Sequence, residues 1–123
     1  MKKILIVDDD KGMTQLLADI VKVGGHEPII VNDSSLAMQT AISNKPDLFL
    51  LDLMMPEPNG FELCRLLRAD IRFKSTPILI ITAMDESDSK SIAFVAGAND
   101  YISKPFDPQE LEKTIKGWMS KIS

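Results

Sequence analysis

Five short apolar runs punctuate the chain: Ile4 to Val7, Pro28 to Val31, Leu48 to Leu51, Ile78 to Ile81 and, less purely, Tyr101 to Ser103. Each has the length of a strand, and runs of Val, Ile and Leu that do not alternate with polar residues belong to strands covered on both faces. Between the runs the apolar positions recur with helical spacing. Met13, Leu16, Leu17, Ile20 and Val21 form one face of a first helix that stops at Gly24-Gly25. Leu111, Ile115, Trp118, Met119 and Ile122 form one face of a last helix, and Asp107-Pro108-Gln109-Glu110 ahead of them supplies a cap, a Pro at the first helical position and an acid at the third. Weaker patterns predict helices over about Ser34 to Asn44, Gly60 to Ile71 and Glu86 to Ala96. Pro46 and Pro77 stand just before strands, and Gly97 follows the fourth helix.

The order is strand then helix, repeated. This alternation implies an α/β fold with parallel strands, right-handed helical crossovers and helices on both faces of an open, doubly wound sheet. With 123 residues, the chain reads as a single domain over residues 1–123, since a closed eight-fold barrel needs around 250. A hydrophobic fraction of 45% and a charged fraction of 26% exclude a disordered chain. The one Cys, Cys64, cannot form an internal disulfide, which fits a reducing compartment. The apolar run after Lys2-Lys3 meets three acids too soon for a signal peptide, and no run approaches the ~20 residues of a membrane span. A cytoplasmic protein without membrane contact is expected. The net charge of −4, without a basic cluster, argues against direct nucleic-acid binding. The Met1 start and the lack of a linker after Ser123 favour a protein made of this domain alone.

The acids are unevenly chosen: twelve Asp against six Glu, with Asp8, Asp9 and Asp10 adjacent. In a parallel sheet all strand C-termini emerge at one edge, where ligands bind. The first strand leads into Asp8 to Asp10, the third into Asp52, the fourth into Thr82 and the fifth into Lys104-Pro105. Each has a plain alternative. An Asp after a strand often caps the next helix, the role expected of Asp10; a Thr at a strand end has β propensity; a Lys before Pro is an ordinary loop residue. Three acids cannot all cap one helix, however, and Leu53-Met54-Met55-Pro56-Glu57-Pro58 leaves Asp52 no adjacent helix to cap. Clustered carboxylates need a compensating cation, and hard oxygen ligands suit Mg²⁺.

These residues carry a resemblance. Ile6-Val7-Asp8-Asp9-Asp10, Leu51-Asp52-Leu53-Met54-Met55-Pro56, Gly60, Ile81-Thr82-Ala83, Gly97-Ala98-Asn99-Asp100-Tyr101 and Lys104-Pro105-Phe106 resemble the hallmarks of response regulator receiver domains of two-component systems, chemotaxis regulators among them, over essentially the whole chain. The resemblance implies a flavodoxin-like (βα)5 fold with strand order 2-1-3-4-5. It implies that Asp52 is a phosphoacceptor and that Asp8, Asp9, Asp52 and the backbone carbonyl of Met54 serve Mg²⁺, Asp8 mainly through a metal-bound water. By the same resemblance, Lys104 and Thr82 contact the phosphoryl group, and Thr82 and Tyr101 form a switch that alters the α4-β5-α5 face. A cis Lys104-Pro105 bond is frequent in the family. A half-buried strand aromatic is the plain alternative for Tyr101. The implied partners are a sensor histidine kinase or histidine phosphotransfer protein, and a downstream protein target or effector domain. His26, the one His, reads as a turn residue away from the strand ends, so the donor belongs to a partner. Such a protein is no enzyme beyond its own phosphorylation and slow dephosphorylation.

Further expectations concern output and signal lifetime. The stretch Asp85-Glu86-Ser87-Asp88-Ser89-Lys90-Ser91 makes a weak helix start, or a solvated loop. In the family, the residues two after the phosphoacceptor and two after the Thr influence hydrolysis; here they are Met54 and Met84, which cannot orient water as an amide can. Asn59 replaces a frequent acid before Gly60, and Glu57-Pro58 stiffens that loop. Few basic residues mark the last two helices, so a monomer or weak dimer is expected. The competing readings are a small aspartyl-phosphate phosphatase, which the Asp8-Asp9-Asp10 letters fit but the length does not, and a non-phosphorylated scaffold.

Overall fold

The three central strands send alternate side chains into two separate cores, which is why their runs are apolar throughout. Ile4, Ile6, Leu48, Leu50, Leu79 and Ile81 pack on one face with Leu17, Val21, Leu111 and Ile115. Leu5, Val7, Phe49, Leu51, Ile78, Ile80 and Tyr101 pack on the other with Ala41, Leu63, Leu67, Phe73 and Ala93. A computed structural model describes residues 2–84 and 86–122, without the side chains of residues 86 and 87. The strands are β1 (Lys3–Val7), β2 (Glu27–Val31), β3 (Leu48–Leu51), β4 (Ile78–Thr82) and β5 (Asp100–Ser103), and the α-helices are α1 (Lys11–Val23), α2 (Ala37–Asn44), α3 (Gly60–Ala69), α4 (Glu86–Ala96) and α5 (Pro108–Met119). The sheet is parallel with order β2-β1-β3-β4-β5, the flavodoxin-like arrangement the resemblance implies. Helices α1 and α5 cover one face and α2, α3 and α4 the other.

Local chemistry explains where the observed elements depart from the expected ones. The predicted second helix is divided: Asp33 accepts hydrogen bonds from the Ser35 N–H at 3.0 Å and the Ser35 hydroxyl at 2.6 Å, and this capped 3₁₀ turn over Ser34–Leu36 precedes α2. The third helix ends at Ala69 because Asp70 accepts from the Arg72 N–H at 2.9 Å and starts another 3₁₀ turn, Ile71–Phe73. Asp10 caps α1 by accepting from the Gly12 and Met13 N–H groups, and Asp107 caps α5 through the Gln109 N–H. The reciprocal capping box lies elsewhere, at Asn59 and Glu62 on α3. Asp85 and the side chains of Glu86 and Ser87, part of the expected weak start of α4, lie outside the described residues.

Two contacts fix the loops that flank the strand ends. Gly60 opens α3 directly against the backbone of Asp52 and Leu53: a Cβ there would overlap the Asp52 carbonyl oxygen and lie 2.7 Å from the Leu53 Cα. Arg68 reaches out of α3 to donate to the Gly97 carbonyl at 2.9 Å, the Phe73 carbonyl at 2.8 Å, the Thr76 carbonyl at 2.7 Å and the Asn99 side-chain oxygen. Gly97 itself has φ +114°, a conformation that side chains rarely adopt. No described helix is long and apolar enough to cross a membrane. Gly60→Ala is expected to lower the unfolding free energy by about 1–3 kcal/mol, because backbone on the facing side cannot rotate away from the methyl group as a side chain could; urea denaturation measures it, and an unchanged midpoint contradicts this account of Gly60.

Candidate functional site

The C-terminal ends of β1, β3, β4 and β5 deliver their next residues to one edge of the sheet. Asp8 follows β1, Asp52 follows β3, Thr82 ends β4 and Lys104 follows β5. Oxygens of Asp8, Asp9 and Asp52 lie within 4.8 Å of one another. Asp8 is 2% exposed and Asp52 7% exposed, whereas Asp9 faces solvent. Lys104 Nζ donates to Asp8 Oδ2 at 2.9 Å and stands 3.7 Å from Asp52 Oδ2. The second oxygen of Asp8 accepts from the Asp10 N–H at 3.0 Å. Asp52 Oδ1 accepts from the Met54 N–H at 3.3 Å. Thr82 is fully buried, and its hydroxyl oxygen accepts from the Met84 N–H at 3.3 Å.

Burial pushes the Asp52 carboxyl above the usual carboxylate range, and the neighbouring Asp8 charge adds to the rise; the Lys104 ammonium, the Thr82 hydroxyl and the Met54 N–H pull it back without cancelling it. Formally, three carboxylates face one ammonium. A divalent cation with oxygen-ligand preference matches both the donors and the uncompensated charge. Asp8, Asp9 and Asp52 are thus the side chains that could hold Mg²⁺. Asp10, by contrast, is occupied in capping α1.

The Tyr101 ring is buried, with 7% exposure, and its hydroxyl donates to the Met84 carbonyl at 3.2 Å. It thus points into the protein beneath the loop that carries Thr82. Met54 is 55% exposed, and Met84 is partly buried. His26 sits in the turn before β2, where its N–H donates to the Val21 carbonyl at 3.1 Å, at the sheet edge opposite Asp52. Both Glu57-Pro58 and Lys104-Pro105 are cis.

Two supporting residues, Asn32 and Ser34, are not marked by any motif. Asn32 Nδ2 donates to the Asp8 carbonyl at 2.9 Å and to the Thr14 hydroxyl at 3.0 Å, and so holds the loop between β1 and α1. Its position just past β2, on the same sheet edge, was the available signal. The Ser34 hydroxyl donates to the Pro56 carbonyl at 2.9 Å and ties down the loop after Asp52. Asn59 caps α3, a role that an amide and an acid fill equally well.

The response regulator receiver domain family matches residues 4–116. The chain is 36% identical over 115 residues to the DNA-binding response regulator MtrA of Mycolicibacterium smegmatis, covering 94% of this chain and 49% of MtrA. It is 40% identical over 116 residues to the alkaline phosphatase synthesis transcriptional regulatory protein PhoP of Bacillus subtilis, covering 94% of this chain and 47% of that protein. It therefore spans about half the length of the curated relatives it matches. Among solved structures, a response regulator from Chloroflexus aurantiacus superposes with a TM-score of 0.91 at 35% identity, covering 97% of this chain and 98% of that one. The chemotaxis protein CheY4 of Vibrio cholerae gives 0.89 at 31% identity, covering 95% and 98%. With its fold, strand-end acids and these relatives in agreement, the chain belongs to the response regulator receiver domain family of two-component signalling.

Proposed function

We propose that this receiver domain accepts a phosphoryl group on Asp52 from a phosphohistidine of a sensor histidine kinase or histidine phosphotransfer protein, and passes the signal to a downstream protein target or effector domain. The observation that carries this reading is the placement of a buried Asp52 between two further carboxylates and the Lys104 ammonium. An Asp52 oxygen attacks phosphorus; the phosphorus–nitrogen bond breaks, and its electron pair leaves with the donor imidazole, which takes up a proton. Asp8, Asp9, Asp52 and the Met54 carbonyl would hold Mg²⁺, which would supply positive charge to the phosphoryl oxygens. Lys104 offers a second positive charge and Thr82 a hydroxyl donor to those oxygens. The acyl phosphate adds negative charge at the edge, so Lys104 and Thr82 are drawn toward it, and the strain passes to α4, β5 and α5. The partner must bring the histidine, because His26 lies at the other edge of the sheet. MtrA, by its name, binds DNA; the output of the present residues is a protein contact through the α4-β5-α5 face. The domain catalyses only its own phosphorylation and dephosphorylation, in the cytoplasm.

Intact-protein mass measurement with a small acyl phosphate donor tests the reading. One phosphoryl group is gained in Mg²⁺ and lost in chelator, and Asp52→Asn gains none. No gain in the wild type marks a scaffold, and donor consumption without a persistent adduct marks a phosphatase.

The electrostatics of the site have a consequence for stability. Because the folded-state pKa of Asp52 is raised, the folded protein binds that proton more tightly than the unfolded chain does; stability therefore falls as pH rises from 3.8 through the raised value, and the loss persists above it. Asp52→Asn is expected to raise the urea midpoint at pH 7 in chelator. Mg²⁺ at 100 times its Kd adds about 2.7 kcal/mol to the wild type and less to the variant; a variant less stable than wild type in chelator contradicts the assignment.

Neither Met54 nor Met84 can donate a hydrogen bond to an attacking water, so the phosphorylated protein should decay slowly. Met54→Asn and Met84→Glu should each speed hydrolysis, by up to about 100-fold, the lower end of what a positioned polar group contributes. Slower decay in either variant refutes the role given to the thioethers.

A further inference from the structure

Helix α4 is attached unevenly. Its large apolar residues face outward: Ile92 is 46%, Phe94 41% and Val95 87% exposed. Its buried face is made of small side chains at helical spacing, Ser89, Ala93 and Ala96. Burial of methyl groups holds such a helix weakly, so its polar ties matter more than usual. At the C-terminal end these ties are firm: Arg68 grips the Gly97 carbonyl at 2.9 Å, Cys64 Sγ donates to the Ala96 carbonyl at 3.5 Å, and Asn99, held by Arg68, accepts from the Ile78 N–H at 2.9 Å. Nearer the N-terminal end, two buried hydroxyls, Ser89 Oγ and Tyr101 OH, stand 2.6 Å apart.

The Tyr101 hydroxyl lies within hydrogen-bond distance of two partners, the Met84 carbonyl at 3.2 Å and the Ser89 hydroxyl at 2.6 Å. The chain Ser89 to Tyr101 to Met84 connects α4, β5 and the loop after Thr82, and each bond polarises the next. Alanine at 89 would fill nearly the same space and match the rest of the inner face, so the hydroxyl rather than the volume distinguishes this position.

We infer that Ser89 is a positioning residue of the switch: its hydroxyl holds Tyr101 inward and latches the N-terminal half of α4, while the Arg68 and Cys64 contacts leave the C-terminal end as the pivot. This rests on the reading of Asp52 as phosphoacceptor for its signalling role, but the latch itself belongs to the unmodified protein. Loss of the Ser89 hydroxyl lets the ring swing outward and frees α4 to tilt about residues 96–97.

Tyr101 is the sole Tyr of the chain, so protein made with 3-fluorotyrosine gives one fluorine signal that reports the position of this ring. In the full chain without phosphodonor, Ser89→Ala should raise the solvent-exposed population by about 2- to 13-fold, the factor one neutral hydrogen bond is worth. Amide exchange should quicken by a similar factor at residues 88–91 and stay unchanged at residues 96–99. Tyr101→Phe should quicken exchange at the same residues, and the double variant should show less than the sum of the two single effects, the mark of a shared contact. Unchanged fluorine and exchange data in Ser89→Ala overturn the latch, as does a change spread evenly over α4, which marks general loosening. Phosphoryl uptake by wild type, read separately by mass, keeps a failure of the phosphoacceptor reading distinct from a failure of the latch.

Discussion

Lys104 donates to Asp8 at 2.9 Å and stands 3.7 Å from Asp52, and this lopsided sharing of one ammonium lets two carboxylates stay buried at a single sheet edge. Each carboxylate alone would lose its hydration on burial, and together they repel. Burial, and after it the Asp8 charge, holds the carboxyl group of Asp52 above the usual range, and the more distant ammonium lowers it only in part. Of the two buried carboxylates, the one farther from Lys104 is thus the one proposed to react, and a cation would relieve the imbalance.

The surrounding fold maintains that arrangement. Asp8 is fixed from its backbone by Asn32 and from its side chain by the Asp10 N–H and Lys104. The loop after Asp52 is tied by Ser34 through Pro56 and pressed from below by Gly60. On the far side of Thr82 the restraints are of another kind. The Met84 N–H and carbonyl contact Thr82 and Tyr101, and Tyr101 contacts Ser89. The half of the site built from β1 and β3 therefore faces a half in which Tyr101 joins the Met84 carbonyl to the Ser89 hydroxyl. Charge added between the halves moves the second, which is the half continuous with α4 and β5.

The architecture was legible because its causes are local. Continuous apolar runs announce strands covered on both faces, and their alternation with helical patterns implies parallel order; the cores on the two sides of β1, β3 and β4 are the outcome. Asp10 and Asp107 cap the helices expected of them. Element ends were less legible where a side chain competed for backbone donors: Asp33 and Asp70 each draw a 3₁₀ turn out of a segment with helical spacing. Asn59 looked like a departure from a pattern and is a helix cap.

The sequence by itself determined which residues leave the strand ends, and hence that Asp8, Asp9, Asp52, Thr82 and Lys104 share one edge, because parallel strands have no freedom to place them elsewhere. It carried no information on which carboxylate Lys104 prefers, on the inward seat of Tyr101, or on Ser89, since each depends on distances between side chains from different elements. Ser89 in particular lies among serines and acids that read as a solvated helix start; only the approach of β5 beneath α4 brings its hydroxyl to 2.6 Å from Tyr101. Periodicity records which way a residue faces, while the partner it meets is decided by packing.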